Sequence, residues 1–221
     1  MIRRRPSHGF SLIELLVVIA IMAILIAVGA SSLGRGGSNL GLTTTVAHLQ
    51  GSLDEARQTA LANNKYVQVR FLAKPGGKNY EAISVLVAES PFYGSSAEYD
   101  AWQAQGLIRQ GGRPLILPQN LVIPRGAEAS QLLSDLASDT DFQRTGTNKV
   151  GGQTYEWVAF YFRPNGITDY QMLNGTPYSG TNAFFSLVSE PEYAQSTPHL
   201  PKNFATFILS PASGRPVIFR P

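Results

Sequence analysis

From Leu15 to Ala30 the chain has no charged residue, and nearly every side chain there is Leu, Ile, Val, Ala or Met. No other stretch limits the architecture so strongly. Counted from Phe10, the run approaches the ~20 residues a helix needs to cross the hydrocarbon core of a bilayer. One acid, Glu14, stands near its beginning, one helical turn from Phe10. Upstream lie Arg3, Arg4 and Arg5, with no acid among them. A short basic head before an apolar helix holds the head in the cytoplasm and sends the rest across. One reading is a secretory signal peptide, cut at Val28-Gly29-Ala30, with a twin-arginine variant resting on Arg3-Arg4. A second is a plain membrane anchor. Neither gives Glu14 a task, and an unpaired carboxylate at mid-membrane costs roughly 2.5–3.5 kcal/mol or more.

A third reading accounts for the acid. Gly9-Phe10-Ser11-Leu12-Ile13-Glu14, followed by Leu15-Leu16-Val17-Val18-Ile19-Ala20, resembles the prepilin signal of type IV pilins and type II secretion pseudopilins. The resemblance implies cleavage after Gly9 by a membrane prepilin peptidase on the cytoplasmic side. It implies methylation of the new amino terminus at Phe10 by the same enzyme. It also implies that Glu14 pairs with the terminal amine of a neighbouring subunit during assembly. Physical chemistry agrees with that last role, because an acid buried in lipid is strongly biased toward a positive partner. A side-chain-free Gly9 suits an extended segment entering a protease cleft. This likeness covers about the first thirty residues and does not name the subunit.

Composition bounds the remainder. Less a leader and an anchor, 221 residues leave one ordinary globular domain, and 43% apolar content suffices for its core. The formal net charge of +3 sits partly in Arg3 to Arg5, so the exported part is near neutral and gives no electrostatic case for nucleic acid. There is no cysteine, so packing rather than disulfides must hold an exported fold. Abundant Gly and Pro with only 15% charged residues suit a loop-rich β domain.

In chain order, residues 1–9 form the leader and 10–30 the membrane and assembly helix. Gly34, Gly36 and Gly37, with Ser31, Ser32 and Ser38, make 31–41 a flexible segment, since each Gly costs about 0.8–1 kcal/mol relative to Ala inside a helix. The periplasmic globular domain is 42–221. Its first element is a helix over 42–63, where Leu42, Val46, Leu49, Leu53, Ala56 and Ala60 form one apolar stripe and Asn63-Asn64 a stop. Val67, Val69 and Phe71 alternate with Gln68 and Arg70, the pattern of a half-buried strand. Lys74 to Lys78 is a turn, and Tyr80 to Val87 a second strand with Ile83, Val85 and Val87 on one side. Ala88 to Arg113 reads as a long loop. Leu115 to Leu117 and Leu121 to Ile123, around Pro118, read as a bent edge strand. Ala129 to Ala137 is a short helix, and Asp139 to Gly152 a polar loop. Strands follow at 157–162, 183–188, 204–209 and 217–219. The whole is an α+β, pilin-like fold: a long N-terminal helix packed against an antiparallel β domain.

Glu55-Ala56-Arg57 on the helix, Phe162-Arg163-Pro164-Asn165-Gly166 and Ser213-Gly214-Arg215 are together similar to minor pseudopilin H and its pilus relatives. Each is also an ordinary turn or helix segment. The insertions 90–113, 130–152 and 190–202 depart from a compact member and leave the subunit open. A lineage-specific pilin-like protein fits as well. The sequence contains no nucleophile elbow, phosphate loop or His-x-x-x-His, and His8, His48 and His199 are scattered. The expectation is therefore no enzyme and no cofactor. Asp135, Asp139 and Asp141 suggest a calcium loop, but the EF-hand spacing is absent and a solvated polar loop is the simpler account. The implied function is a structural minor pseudopilin or pilin, with the prepilin peptidase, other subunits and the inner membrane as partners. It is a single-pass chain, N-terminus cytoplasmic, with its domain periplasmic or in a surface filament. The alternative is a minor pilin tip that holds DNA for uptake through Arg215 and Arg220.

Overall fold

A computed structural model describes residues 12–90, 101–102, 104–139, 144–173, 176–178, 183–196 and 199–221, with backbone alone at 27–40 and 172. The leader, Gly9, Phe10 and Asp141 lie outside these residues. Helix α1 spans Leu12–Asn63. The chain divides into two compact units, Met1–Leu40 and Gly41–Pro221.

Within the second unit, the last part of α1 ends where the stop signal placed it. Asn64 takes the left-handed conformation at φ 52, one of the few non-glycine residues that tolerates it. The six stripe residues from Leu42 to Ala60 are all buried. They join one apolar core with Val67, Val69 and Phe71. These three lie on β1 (Tyr66–Ala73), the middle strand of the first sheet. Its neighbours are β3 (Ala82–Ala88) on one side and β8 (Gln153–Phe162) on the other. The outer strands are β4 (Ile108–Gln110), β5 (Leu115–Ile116) and β7 (Thr145–Val150).

The second sheet has the order β13-β12-β11-β6-β2, all neighbours antiparallel. Its strands are β2 (Asn79–Tyr80), β6 (Leu121–Pro124), β11 (Phe184–Ser189), β12 (Phe204–Leu209) and β13 (Pro216–Phe219). Phe185, Leu187, Ala205, Phe207 and Leu209 project from it into the same core as α1 and the first sheet. Helix α2 (Ala127–Ala137) adds Leu132, Leu133 and Leu136. Between β10 (Thr176–Pro177) and β9 (Met172–Leu173) there is a further two-stranded pairing, and α3 (Glu190–Ser196) follows β11 directly. The architecture is thus α+β, a helix followed by antiparallel sheets.

Several strands differ from their sequence reading. Segment 139–152 contains β7, paired with β8 along six residues through a Gly151-Gly152 turn in which both φ are positive. Two glycines there permit the two-residue hairpin loop that matches strand twist. The stretch 88–113 is not all loop, because β4 pairs with β3. Leu115-Leu117 and Leu121-Ile123 do not form one bent edge strand. The first contributes β5 to the first sheet, and the second becomes β6, internal between β11 and β2. Pro118 ends one pairing and allows the next to begin in another sheet. Nor is β1 half-buried: Arg70 and Gln68 on its far face are covered as completely as Val67. The Arg70 guanidinium lies 4.0 Å over the Trp157 ring, and its Nε donates to Gln68 Oε1 at 2.7 Å. A cation on an aromatic face keeps much of its favourable electrostatics out of water.

One polar clamp joins the two sheets where the chain passes from β1 to β2. Arg125, just after β6, donates through Nη1 to Gly77 O at 2.8 Å and to Glu156 Oε2 at 2.9 Å. The Gly76 N–H donates to Glu156 Oε1 at 3.2 Å. The Arg125 hydrogen bond, then the Gly76 N–H, hold the Glu156 carboxyl below its usual range. A depressed carboxyl contributes stability that is present above the ordinary glutamate value and lost as pH falls through the depressed one. Melting temperature measured between pH 7 and pH 3 should therefore drop less steeply for Glu156→Gln than for the parent chain. Because the pair is partly exposed, the difference should be small at neutral pH.

Candidate functional site

The first turn of α1 carries one acid, Glu14, followed by an apolar run. The large apolar side chains from Leu12 to Ile26 are open to between 44% (Val18) and 83% (Leu12), and they point in every direction around the helix. A helix that is apolar all round is suited to a lipid or helix-bundle environment rather than to water. Among the described residues no helix is long and apolar enough to cross a membrane.

The second constellation lies in the globular unit and unites three segments far apart in sequence. Arg57 on α1 aims its Nε at two backbone carbonyls, Gly166 O at 3.1 Å and Ser213 O at 3.0 Å. Gly166 closes the turn after β8, and Ser213 lies in the turn between β12 and β13. The helix is therefore bonded to a turn from each sheet. Both turns need glycine. At Gly166, φ is +75 and an added Cβ would sit 3.0 Å from Leu61 Cγ. At Gly214, φ is +64 and an added Cβ would sit 2.3 Å from Gly166 O, a backbone atom with little freedom to retreat. The resemblance read from the sequence groups Arg57 with the 162–166 and 213–215 turns but gives Arg57 no task. Its spacing on the helix, one position after the buried Ala56, was the available signal.

The other candidate residues are placed as follows. Arg215 and Arg220 flank β13 at its two ends, about 16 Å apart at roughly 3.3 Å per residue. Arg220 Nη1 donates to Thr43 Oγ1 on α1 at 3.1 Å. Arg3, Arg4, Arg5 and Arg35 against Glu14 account for the whole formal charge of +3, so residues 41–221 balance. Asp135 accepts from Tyr178 and Gln131, at 2.7 Å each. Asp139 and Asp169 both pair with the buried Arg144 behind the first sheet. Among the described residues no group of three or more His, Asp or Glu side chains is arranged to hold a metal ion.

A family model described as the prokaryotic N-terminal methylation motif matches residues 4–30. The start of the chain carries a type IV pilin-like signal. Comparison with curated proteins and with solved structures found no match. The signal covers Phe10, Glu14 and the apolar run, while the Arg57 constellation lies beyond it.

Gly214→Ala should lower unfolding stability by about 2–3 kcal/mol, combining left-handed backbone strain with the displaced Gly166 carbonyl. Gly112→Ala is the control, since nothing lies within 4 Å of its added Cβ. Urea unfolding of the detergent-solubilised chain followed by tryptophan fluorescence reads both.

Proposed function

We propose that this chain is a non-catalytic structural subunit, a minor pseudopilin or pilin, of a type II secretion or type IV pilus-like filament. The observation that carries the reading is the methylation-motif match over residues 4–30, with a single acid in the first turn of an all-round apolar helix. Prepilin peptidase cuts after Gly9 and methylates Phe10. The apolar helix holds the subunit in the inner membrane with the globular unit in the periplasm. During assembly Glu14 meets the amine freed on a neighbouring subunit, which offsets the cost of placing a carboxylate in lipid. The glycines of 31–41 lie within α1, where each weakens the helix that follows the apolar run. A pseudopilin H-like subtype is supported by the Arg57 contact, which joins the segments that carry that likeness.

Mass spectrometry of the membrane-extracted chain should find a mature amino terminus at N-methylated Phe10. A terminus at Ser31 would instead indicate ordinary secretion. Glu14→Ala should leave cleavage intact while sharply reducing recovery in sheared or cross-linked filaments. Normal incorporation of that variant would overturn the assigned pairing.

A further inference from the structure

Strand β13 ends the second sheet, and among the described residues its far edge pairs with no other strand. The neighbouring bonds fix which backbone groups face that edge. Ser210 N–H donates to Arg215 O at 3.4 Å, and Leu209 N–H donates the other way, to Ala183 O at 2.8 Å. Bonding alternates along an antiparallel pair, so Val217 and Phe219 direct their backbone groups to β12. Pro216 C=O, Ile218 N–H and C=O, and Arg220 N–H then face outward. Among the described residues no backbone hydrogen bond outside the strands reaches them. Val217 is 60% and Phe219 54% exposed on this strand, whereas Ser186 and Val188 on β11 are buried. Sheet edges are commonly blunted by charge or by proline. Here Arg215, Pro216 and Arg220 guard the two ends while the centre stays apolar. Neither arginine forms an ion pair among the described residues.

We propose that the free edge of β13 takes an extended segment of another protein as one more antiparallel strand, with carboxylates spaced to meet Arg220 and Arg215. Main-chain hydrogen bonds to Ile218 supply the attachment, and side chains supply the selectivity. The register sets the pattern. One acid lies two positions before the residue opposite Ile218, and so faces Arg220. The other lies three positions after it, and so faces Arg215. Opposite charges directly across a strand pair stabilise it, and like charges oppose it. The residues opposite Phe219 and Val217 share their outward face and are apolar. A second copy of this chain fits poorly. Pairing Ile218 with itself would set Arg220 of one copy opposite Pro216 of the other, which has no N–H to donate. The same pairing would bring Arg220 beside the other copy's Arg215 at both ends. Nucleic acid fits poorly too. An odd spacing turns Arg215 and Arg220 to opposite faces of the strand, and Arg220 Nη1 reaches back to Thr43 Oγ1 on α1 at 3.1 Å.

The probe is a capped, dye-labelled peptide, Glu-Val-Thr-Val-Thr-Glu, titrated into the detergent-solubilised full chain. Fluorescence anisotropy should show saturable binding, about tenfold stronger than for Lys-Val-Thr-Val-Thr-Lys. N-methylation of the third residue removes the N–H offered to Ile218 C=O and should weaken binding by about tenfold as well. Arg215→Glu, at an exposed site, should weaken the parent peptide and favour one whose last Glu is replaced by Lys. In hydrogen exchange the parent peptide should slow the Ile218 and Arg220 amides. It should leave the amides of Val217 and Phe219, already bonded to β12, unchanged. No saturable binding, equal binding of the N-methylated peptide, or no reversal by the charge swap would overturn the proposal. So would protection of the same amides by raising chain concentration alone, which would mark a second copy. Displacement of the peptide by oligothymidylate would assign the arginines to nucleic acid and overturn it too. None of these readouts depends on processing at the amino terminus, so the filament role stands or falls separately.

Discussion

Six side chains on one stripe of α1 have to leave water, and the two sheets are arranged around that requirement. Full burial of a Leu or Val contributes roughly 1.5–3 kcal/mol, so Leu42, Val46, Leu49 and Leu53 together outweigh any single polar contact in the fold. They are also what two separate β-sheets have in common. The first sheet brings Val67, Val69, Phe71 and Phe160 to the stripe, and the second brings Phe185, Leu187 and Phe207 into the same core. Aromatic rings fill the junction between sheets, with Phe71 edge-on to Phe185 at 5.0 Å. Without a cysteine in the chain, this packing and a few polar clamps define the domain.

The polar clamps occur where the chain changes layer. Arg125 and Glu156 fix the passage between sheets beside Tyr80, whose ring lies 5.2 Å from the Arg125 guanidinium. Arg144 with Asp139 and Asp169 fixes the back of the first sheet, where Asp169 Oδ1 also accepts from the Tyr161 N–H at 2.7 Å. Buried ion pairs of this kind add little net stability over apolar replacements, yet losing one partner is costly. Their role here is to define which loop lies over which strand.

Periodic elements were the most legible in sequence. The 42–63 helix face, β1, β8, β11, β12 and the turns at 163–166 and 210–215 follow from apolar spacing and from Gly and Pro placement. What escaped has identifiable physical causes. β7 is Thr-Gly-Thr-Asn-Lys-Val, with no apolar alternation, and its only cue was the double glycine that follows. β6 was read as part of a bent edge strand around Pro118, yet that proline lies before the strand and leaves the pairing of Leu121 and Val122 with β11 intact. The covered face of β1 could not be foreseen, since Gln68 and Arg70 appear solvent-facing until Trp157 is placed above them. At the candidate site, the assembly signal was readable because its residues are contiguous. The Arg57 contact was not, since its acceptors are backbone atoms 109 and 156 residues away.

That same arginine has a mechanical consequence. The Gly166 turn terminates a strand of one sheet and the Ser213 turn joins two strands of the other, so a pull along α1 reaches both sheets through one side chain. A force on the helix is therefore felt by both sheets together, through Arg57 as well as through the buried stripe.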